Sequence, residues 1–368
     1  MKARYIMLGG FLGAGKTTAV ARLAQHLSAQ GLRVGLITND QGKGLVDTAM
    51  LASRGFEVEE IAGGCFCCRF NSLLEAARSL SASTRPDVFI AEPVGSCTDL
   101  VATVTYPLRR IYGDEFTIAP LSVLVDAVRA MRVLGLSQGP KFSEKVLYIY
   151  RKQLEEADII VINKCDLIDS AALRALQNEI RTQFPHAEQH VVSARKGDGL
   201  PAWFDKMART EQQPRAIMGV DYQIYADGEA LLGWLNATVR FTFEQPTNVN
   251  ALVQDLAEAV HRRLEVEAVE IAHLKMTFDP NHPFGELAAI NLVRNDYVPE
   301  LSQTLNDPVT GGELVINLRA ESDPELLRKV VEQGLYGVTE DGMEGVVEHI
   351  ESFRPGKPVP THREESTV

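Results

Sequence analysis

Short apolar runs alternate with stretches of helical periodicity along the first half of the chain. Tyr5-Ile6-Met7-Leu8 reads as a buried strand, and Ala19, Leu23 and Leu27, at spacings of four, mark the helix that follows. Gly31 supplies a stop, after which residues 32–38 read as a second buried strand. Residues 73–80 look helical until Arg85-Pro86 breaks the pattern. Residues 87–92, 121–126 and 159–162 are further apolar strands, and residues 135–142 form a loop of glycine, proline and serine. Val191-Val192-Ser193-Ala194 reads as one more strand running into a loop.

The pattern changes after Pro214. Residues 237–243 alternate like a strand and residues 249–264 are periodic like a helix. Residues 272–278, 286–293 and 313–318 read as strands, and 323–334 as a helix with Pro324 in its first turn. This order predicts a small α+β domain with helices on one side of a sheet. The expected division is residues 1–211 as one domain, 212–236 as linker and connecting segment, 237–353 as the α+β domain, and 354–368 as a proline-rich, charged tail without order. Tyr222, Tyr225, Glu229 and Trp234 in the connecting segment read either as interdomain packing or as a partner surface.

Composition narrows the setting. A chain of 368 residues can bury two cores, and 45% hydrophobic with 23% charged residues is ordinary for a globular protein. A formal net charge of −12 argues against nucleic acid or anionic membrane as the main partner. No apolar run approaches the roughly 20 residues needed to span a bilayer. The first strand begins so close to Met1 that cleavage of an export signal would remove it, and five cysteines, three of them crowded together, do not resemble a disulfide framework. The expected compartment is the cytoplasm.

Candidate chemistry gathers where strands end. Gly10-Phe11-Leu12-Gly13-Ala14-Gly15-Lys16-Thr17 fits G-x-x-x-x-G-K-[ST], placed between a strand and a helix as a phosphate-binding loop must be. Gly10, Gly13, Ala14 and Gly15 would wrap a phosphate chain, with Lys16, Thr17 and Thr18 at the helix N-terminus. Lys16 would bridge the β- and γ-phosphates, and the Thr17 hydroxyl would hold Mg²⁺. Asp40, in the polar loop of residues 39–47, reads either as a ligand of Mg²⁺ or a second metal, or as a turn or cap residue. Glu92 ends a strand where α/β sheets bind ligands, and could position Mg²⁺ or the attacking water. Lys16, Glu92 and Asp40 are the candidate catalytic residues. In Asn163-Lys164-Cys165-Asp166 the Asp166 carboxylate can accept from both N1–H and the 2-amino group of guanine, which selects GTP over ATP. Asn163 would orient the purine, the Lys164 stem would cover its face, and the Ser193 and Ala194 amides would meet its O6.

Gly63-Gly64-Cys65-Phe66-Cys67-Cys68 is the most unusual segment. If extended, it would put Cys65 and Cys67 on one face, where thiolates could hold Zn²⁺, Co²⁺ or Cu⁺. Three thiols leave a tetrahedral ion at least one ligand short, to come from Asp40, a distant His, water or a client. The plain alternative is three small buried cysteines filling a core.

Taken together, GGFLGAGKTT, GGCFCC, EPVGS and NKCD resemble the CobW-type metallochaperone GTPases, relatives of the nickel-handling HypB and UreG proteins, over about the first 210 residues. The resemblance implies an α/β P-loop GTPase fold with a mostly parallel sheet. It also implies that GTP and Mg²⁺ help assemble a transition-metal site, Zn²⁺ or Co²⁺, on Cys65, Cys67 and Cys68, released to a client metalloprotein on hydrolysis. Three departures stand out: Asn39-Asp40-Gln41-Gly42 where the family has Asn-Glu-Phe-Gly, Glu92-Pro93-Val94-Gly95 where it has a Glu-Thr-Ser-Gly-like run, and eight scattered histidines in place of a histidine-rich stretch. Intrinsic turnover is expected to be slow, since no glutamine is evident near Gly95 to orient the attacking water. A homodimer is left open. The rival readings are a GTPase chaperone or activator of a cobalamin or corrinoid enzyme with no metal delivery, and a small-molecule kinase, which would give residues 163–166 no role.

Overall fold

Two sheets, one parallel and one antiparallel, organise the computed structural model, which describes residues 2–40, 46–281 and 286–367. Residues 41–45, part of the loop expected to respond to a γ-phosphate, lie outside the described residues. The chain divides into two units. One comprises residues 2–40, 56–228 and 357–367, and the other residues 46–55 and 229–356.

In the first unit β1 (Ala3–Gly10) leads into α1 (Lys16–Ala29) and β2 (Val34–Asn39). The next helix, α2 (Val46–Ala52), groups with the second unit. β3 (Val58–Ile61), α3 (Phe70–Ser83), β4 (Val88–Glu92), α4 (Tyr106–Tyr112) and β5 (Phe116–Ile118) follow. Then come β6 (Ser122–Asp126), α5 (Ala127–Val133), α6 (Glu144–Glu156), β7 (Ile159–Asn163), α7 (Ser170–Gln183), β8 (Glu188–Val191) and α8 (Leu200–Arg209). The strands lie in the order β3-β2-β4-β1-β6-β7-β8, with β5 also on β1, and every pairing is parallel. This is the parallel α/β sheet the resemblance implied. Its central strands read as unbroken apolar runs because helices cover both faces. In α1 the positions Ala19, Leu23 and Leu27 are buried against the sheet side, and Gly31, at φ 83°, turns the chain away from the helix.

The 212–228 stretch is not a loose linker. The Gln212 amide donates to Ile118 O at 2.9 Å, and α9 (Tyr222–Leu231) begins soon after. Tyr222 and Tyr225 are occupied within the first unit. The Tyr222 hydroxyl donates to Asp99 Oδ2 at 2.7 Å, and the Thr98 amide donates to the Tyr225 hydroxyl at 3.3 Å. Tyr225, Glu229 and Trp234 are buried, which removes the reading of an exposed partner surface.

The second unit is an antiparallel sheet of β9 (Leu232–Thr247), β10 (Glu270–Asp279), β11 (Ala288–Leu292), β12 (Glu300–Gln303), β13 (Val309–Glu321) and β14 (Met343–Phe353), ordered β12-β11-β10-β13-β9-β14. Two helices, α10 (Val249–Val266) and α11 (Pro324–Val338), bury apolar positions such as Leu256, Val260, Leu327 and Val331 in one core with its strands. That is the expected α+β arrangement. β14 was not expected, because its exposed run Glu344–Glu348 breaks the alternation a half-buried strand should show.

The tail also departs from expectation. Residues 357–367 run along the first unit and are hydrogen-bonded to it. The Thr361 amide donates to Cys67 O at 2.8 Å, the Glu364 amide donates to Ala102 O at 2.9 Å, and the Arg363 guanidinium meets Asp99 Oδ2 at 2.8 Å. Proline and charge suggested disorder, but here the donors have specific acceptors and Arg363 answers a buried carboxylate. Arg363→Ala should therefore leave Asp99, only 1% exposed, with the Tyr222 hydroxyl alone, and cost about 2–3 kcal/mol in urea unfolding. A change under about 0.5 kcal/mol would mean the tail is not held in this way.

Candidate functional site

Glycine is required where β1 turns into α1. Gly10, Gly13 and Gly15 have φ of 131°, 76° and 93°. A Cβ on Gly10 would lie 2.3 Å from Leu124 O, and one on Gly15 would lie 2.4 Å from Asn163 Nδ2. The loop is closed by the Ala14 amide donating to Phe11 O at 3.1 Å, and α1 starts at Lys16 with Thr17 and Thr18 in its first turn. The orphan amides there suit a phosphate. The Thr17 hydroxyl donates to Glu92 Oε1 at 3.0 Å across 75 residues. A hydroxyl beside a buried carboxylate is the hard oxygen pair that Mg²⁺ takes, so Thr17 and Glu92 fit that ion. Asp40 follows β2, its amide bonded to Ile61 O at 3.2 Å.

The second half of the nucleotide site is built on the far side of β1. Asn163 ends β7 and bridges two loops rather than standing free. Its Nδ2 donates to Ala14 O at 2.8 Å, and its Oδ1 accepts from the Ala194 amide at 2.9 Å. Lys164 adopts φ 58°, and its ammonium donates to Gly13 O at 2.7 Å and to Asp126 Oδ2 at 2.8 Å. Asp126, which sequence reasoning missed, thus ties the motif to the phosphate loop. Burial pushes the Asp166 carboxyl up, but the Ser193 hydroxyl and the Lys196 ammonium, at 3.2 Å, outweigh it and hold it below the ordinary range. Asp166 is therefore an ionised acceptor at neutral pH, as guanine recognition requires. Gln153 is a glutamine beside Gly95 that sequence distance concealed. Its amide donates to Gly95 O at 2.9 Å and to Cys97 O at 2.8 Å, so it is spent on the backbone.

The thiol segment follows β3. It is not extended: the Cys68 and Arg69 amides both turn back onto Cys65 O, at 3.0 and 2.9 Å, and α3 begins at Phe70. Convergence comes from this turn, not from strand alternation. Gly63 and Gly64, at φ 77° and 149°, make the approach, and Asn39 Nδ2 fixes it by donating to Gly64 O at 2.7 Å. The sulfurs lie 2.8 Å (65 to 67), 3.1 Å (65 to 68) and 3.7 Å (67 to 68) apart. Cys65 and Cys67 are buried, and Cys68 is half-buried. Within 4.8 Å of one another these three thiols stand alone, and among the described residues neither Asp40 nor a histidine joins them.

Their protons are shared unequally. Hydrogen bonds from Cys67, Cys68 and Cys97 hold the Cys65 thiol well below its ordinary value despite burial. The bond to Cys65 pushes Cys67 well up and Cys68 up to about 11. A thiol pushed toward ionisation among soft donors, beside two protonated neighbours, fits a thiophilic divalent cation.

Residues 4–191 match the CobW/HypB/UreG nucleotide-binding domain. The chain is 30% identical over 216 residues to "Zinc chaperone CobW" of Sinorhizobium sp., covering 52% of this chain and 59% of that one. It is 30% identical over 174 residues to "Zinc chaperone YeiR" of Escherichia coli, covering 46% and 49% respectively. The match thus spans about half the length of these curated relatives. Among solved structures, HypB from Helicobacter pylori in complex with nickel gives a TM-score of 0.43 at 15% identity, covering 58% of this chain and 91% of that one.

The proton inventory gives a direct expectation. The raised Cys67 and Cys68 thiols keep their protons at neutral pH, so loading a divalent ion on the cluster should release both of those protons, and affinity should climb with pH. Calorimetry in buffers of different ionisation enthalpy measures the number. A pH-independent affinity with no proton release would show that Cys67 and Cys68 do not give up theirs to the ion.

Proposed function

The chain belongs to the CobW/HypB/UreG family of nucleotide-binding proteins, and from that premise we propose that it is a GTP-hydrolysing metallochaperone. It takes up Zn²⁺ or Co²⁺ on Cys65, Cys67 and Cys68 and gives it to a client metalloprotein in the cytoplasm when GTP is cleaved. The observation that carries this reading is the three-sulfur cluster, 2.8–3.7 Å on its edges, on a loop tethered through Asn39 to the end of β2. The names of the two relatives favour zinc over cobalt.

The chain's own residues divide the work. The phosphate loop from Gly10 to Thr18 wraps the triphosphate, and Lys16 neutralises charge that grows between the β- and γ-phosphates. Asp166 selects guanine, while Asn163 and Lys164 hold the loops that cradle it. Thr17 and Glu92, with Asp40, would hold Mg²⁺, which supplies further neutralisation of the leaving phosphate. Glu92 positions the attacking water. Turnover is slow without a partner because Gln153 is bonded to Gly95 and Cys97 and does not orient water. Bound GTP holds the segments after β2 and β4 in one arrangement that favours the metal, and by linkage the metal tightens GTP equally.

Zn²⁺ affinity measured with a slowly hydrolysed GTP analogue should exceed that with GDP by about 5- to 150-fold. Equal affinities would sink the switch. In the same preparation ATP should compete with GTP poorly, since adenine offers Asp166 neither donor.

A further inference from the structure

We propose that Cys97 is the fourth sulfur of the metal site, so that the cargo ion is shared between the thiol loop after β3 and the segment that leaves β4. The inference rests on the reading of Cys65, Cys67 and Cys68 as the cargo site and adds a ligand to it.

Three thiols leave a tetrahedral ion one donor short, and no carboxylate or imidazole joins the cluster among the described residues. Cys97 is 1% exposed, and its thiol hydrogen-bonds to Cys65. It is not among the three residues whose sulfurs all lie within 4.8 Å of one another. In a four-thiolate zinc site, with Zn–S near 2.3 Å, neighbouring sulfurs sit about 3.8 Å apart. The observed edges of 2.8, 3.1 and 3.7 Å are therefore tighter than an occupied site needs. An ion would spread the three by at most about 1 Å and draw Cys97 in. A cysteine filling space needs no such neighbours. Alanine or valine would occupy that space as well, without a thiol placed against that of Cys65.

The position of Cys97 gives the fourth ligand its consequence. Its segment starts at Glu92, which accepts the Thr17 hydroxyl at 3.0 Å. Gly95 lies so near the phosphate loop that a Cβ there would be 2.9 Å from Leu12 N. The Cys97 amide turns onto Val94 O at 2.9 Å, and Gln153 grips the carbonyls of both Gly95 and Cys97. A displacement of this segment by the nucleotide carries Cys97 with it. The ion then has four sulfurs in one nucleotide state and three in the other, and a three-sulfur site with an open position is the one from which a client can draw it.

The test is Co²⁺ titration of the full-length protein with GDP and with a slowly hydrolysed GTP analogue, followed by sulfur-to-cobalt charge-transfer absorption. The wild type should show four-sulfur intensity in the analogue state. Cys97→Ser should lose about one quarter of that intensity, weaken binding by about tenfold or more, and bind equally with either nucleotide. Cys97→Ala covers the case in which a buried hydroxyl is not tolerated, and circular dichroism checks the fold of each. Wild-type spectra and affinities in both Cys97 variants would overturn the proposal. Cys67→Ser separates the two levels. If it too binds Co²⁺ like the wild type, the thiol cluster is not the cargo site and both readings fail; if it loses binding while the Cys97 variants do not, only the fourth ligand fails.

Discussion

Parallel pairing forces the carboxyl ends of all strands to one edge of a sheet, and register decides how closely those ends line up. Here Gly10 stands opposite Leu124, Asp126 opposite Asn163, Thr38 opposite Glu92 and Asn39 opposite Ile61. Every candidate residue sits on one of these ends or in the loop beyond it. The order β3-β2-β4-β1-β6-β7-β8 then sorts them by chemistry. On one side of β1 lie Asp40, the thiol loop, Glu92 and Cys97. On the other lie Asp126, residues 163–166, Ser193 and Ala194. The phosphate loop rises from the strand between the two groups, so a triphosphate on it would reach both the thiol side and the side of residues 163–166 at once.

Much of this was legible because the informative residues are constrained by backbone geometry. Gly10 and Gly15 cannot carry a side chain where they pass Leu124 and Asn163, so the phosphate loop is visible as a glycine pattern. Asn163, Lys164 and Asp166 are visible for a similar reason, since each has one job tied to one spacing. The turn at Cys65 was not legible, because three cysteines after two glycines suit a strand or a turn equally and the closing bonds are backbone to backbone. Cys97, Gln153 and Asp126 were hidden by sequence distance alone. β14 failed the alternation rule: residues 344–348 are exposed along their whole length, and pairing with β9 sets the strand where burial does not. The tail defeated a compositional rule, which counts proline and charge but not acceptors such as Cys67 O and Asp99.

The segment from Gly95 to Val101 is held differently from the strands around it. Its contacts come mostly from α6, through Gln153 on two carbonyls and Glu156 on the Thr98 hydroxyl at 3.1 Å and the Val101 amide at 3.1 Å. Burial, and then the neighbouring Asp99, push the Glu156 carboxyl up to about 8. At neutral pH it is mostly a protonated, hydrogen-bonded clamp and not a charge. Asp99 adopts φ 65°, an unfavourable setting for a residue with a Cβ, and one helical turn at Val101–Thr105 is widened beyond the α-helical spacing. Bonds of this kind contribute about 1 kcal/mol each, and they come from side chains of α6 and not from a strand ladder. It is also the stretch that touches both Leu12 and the thiols.

Charge explains why such a site can empty. Three thiolates around a divalent ion leave one net negative charge, and four leave two, in a region where two of the three clustered sulfurs are buried. The Arg69 guanidinium is turned onto Gly63 O at 3.1 Å and not onto a sulfur. The Val359 amide, donating to Cys68 Sγ at 3.3 Å, supplies some compensation from the tail and lowers the cost of ionising that thiol. It does not remove the cost. Without an ion, several adjacent buried thiolates would repel one another strongly, and the raised Cys67 and Cys68 thiols keep their protons instead. Proton uptake would therefore favour an emptied site, and an ion binding there would have to displace those protons again. Thiols whose protons return would suit a carrier.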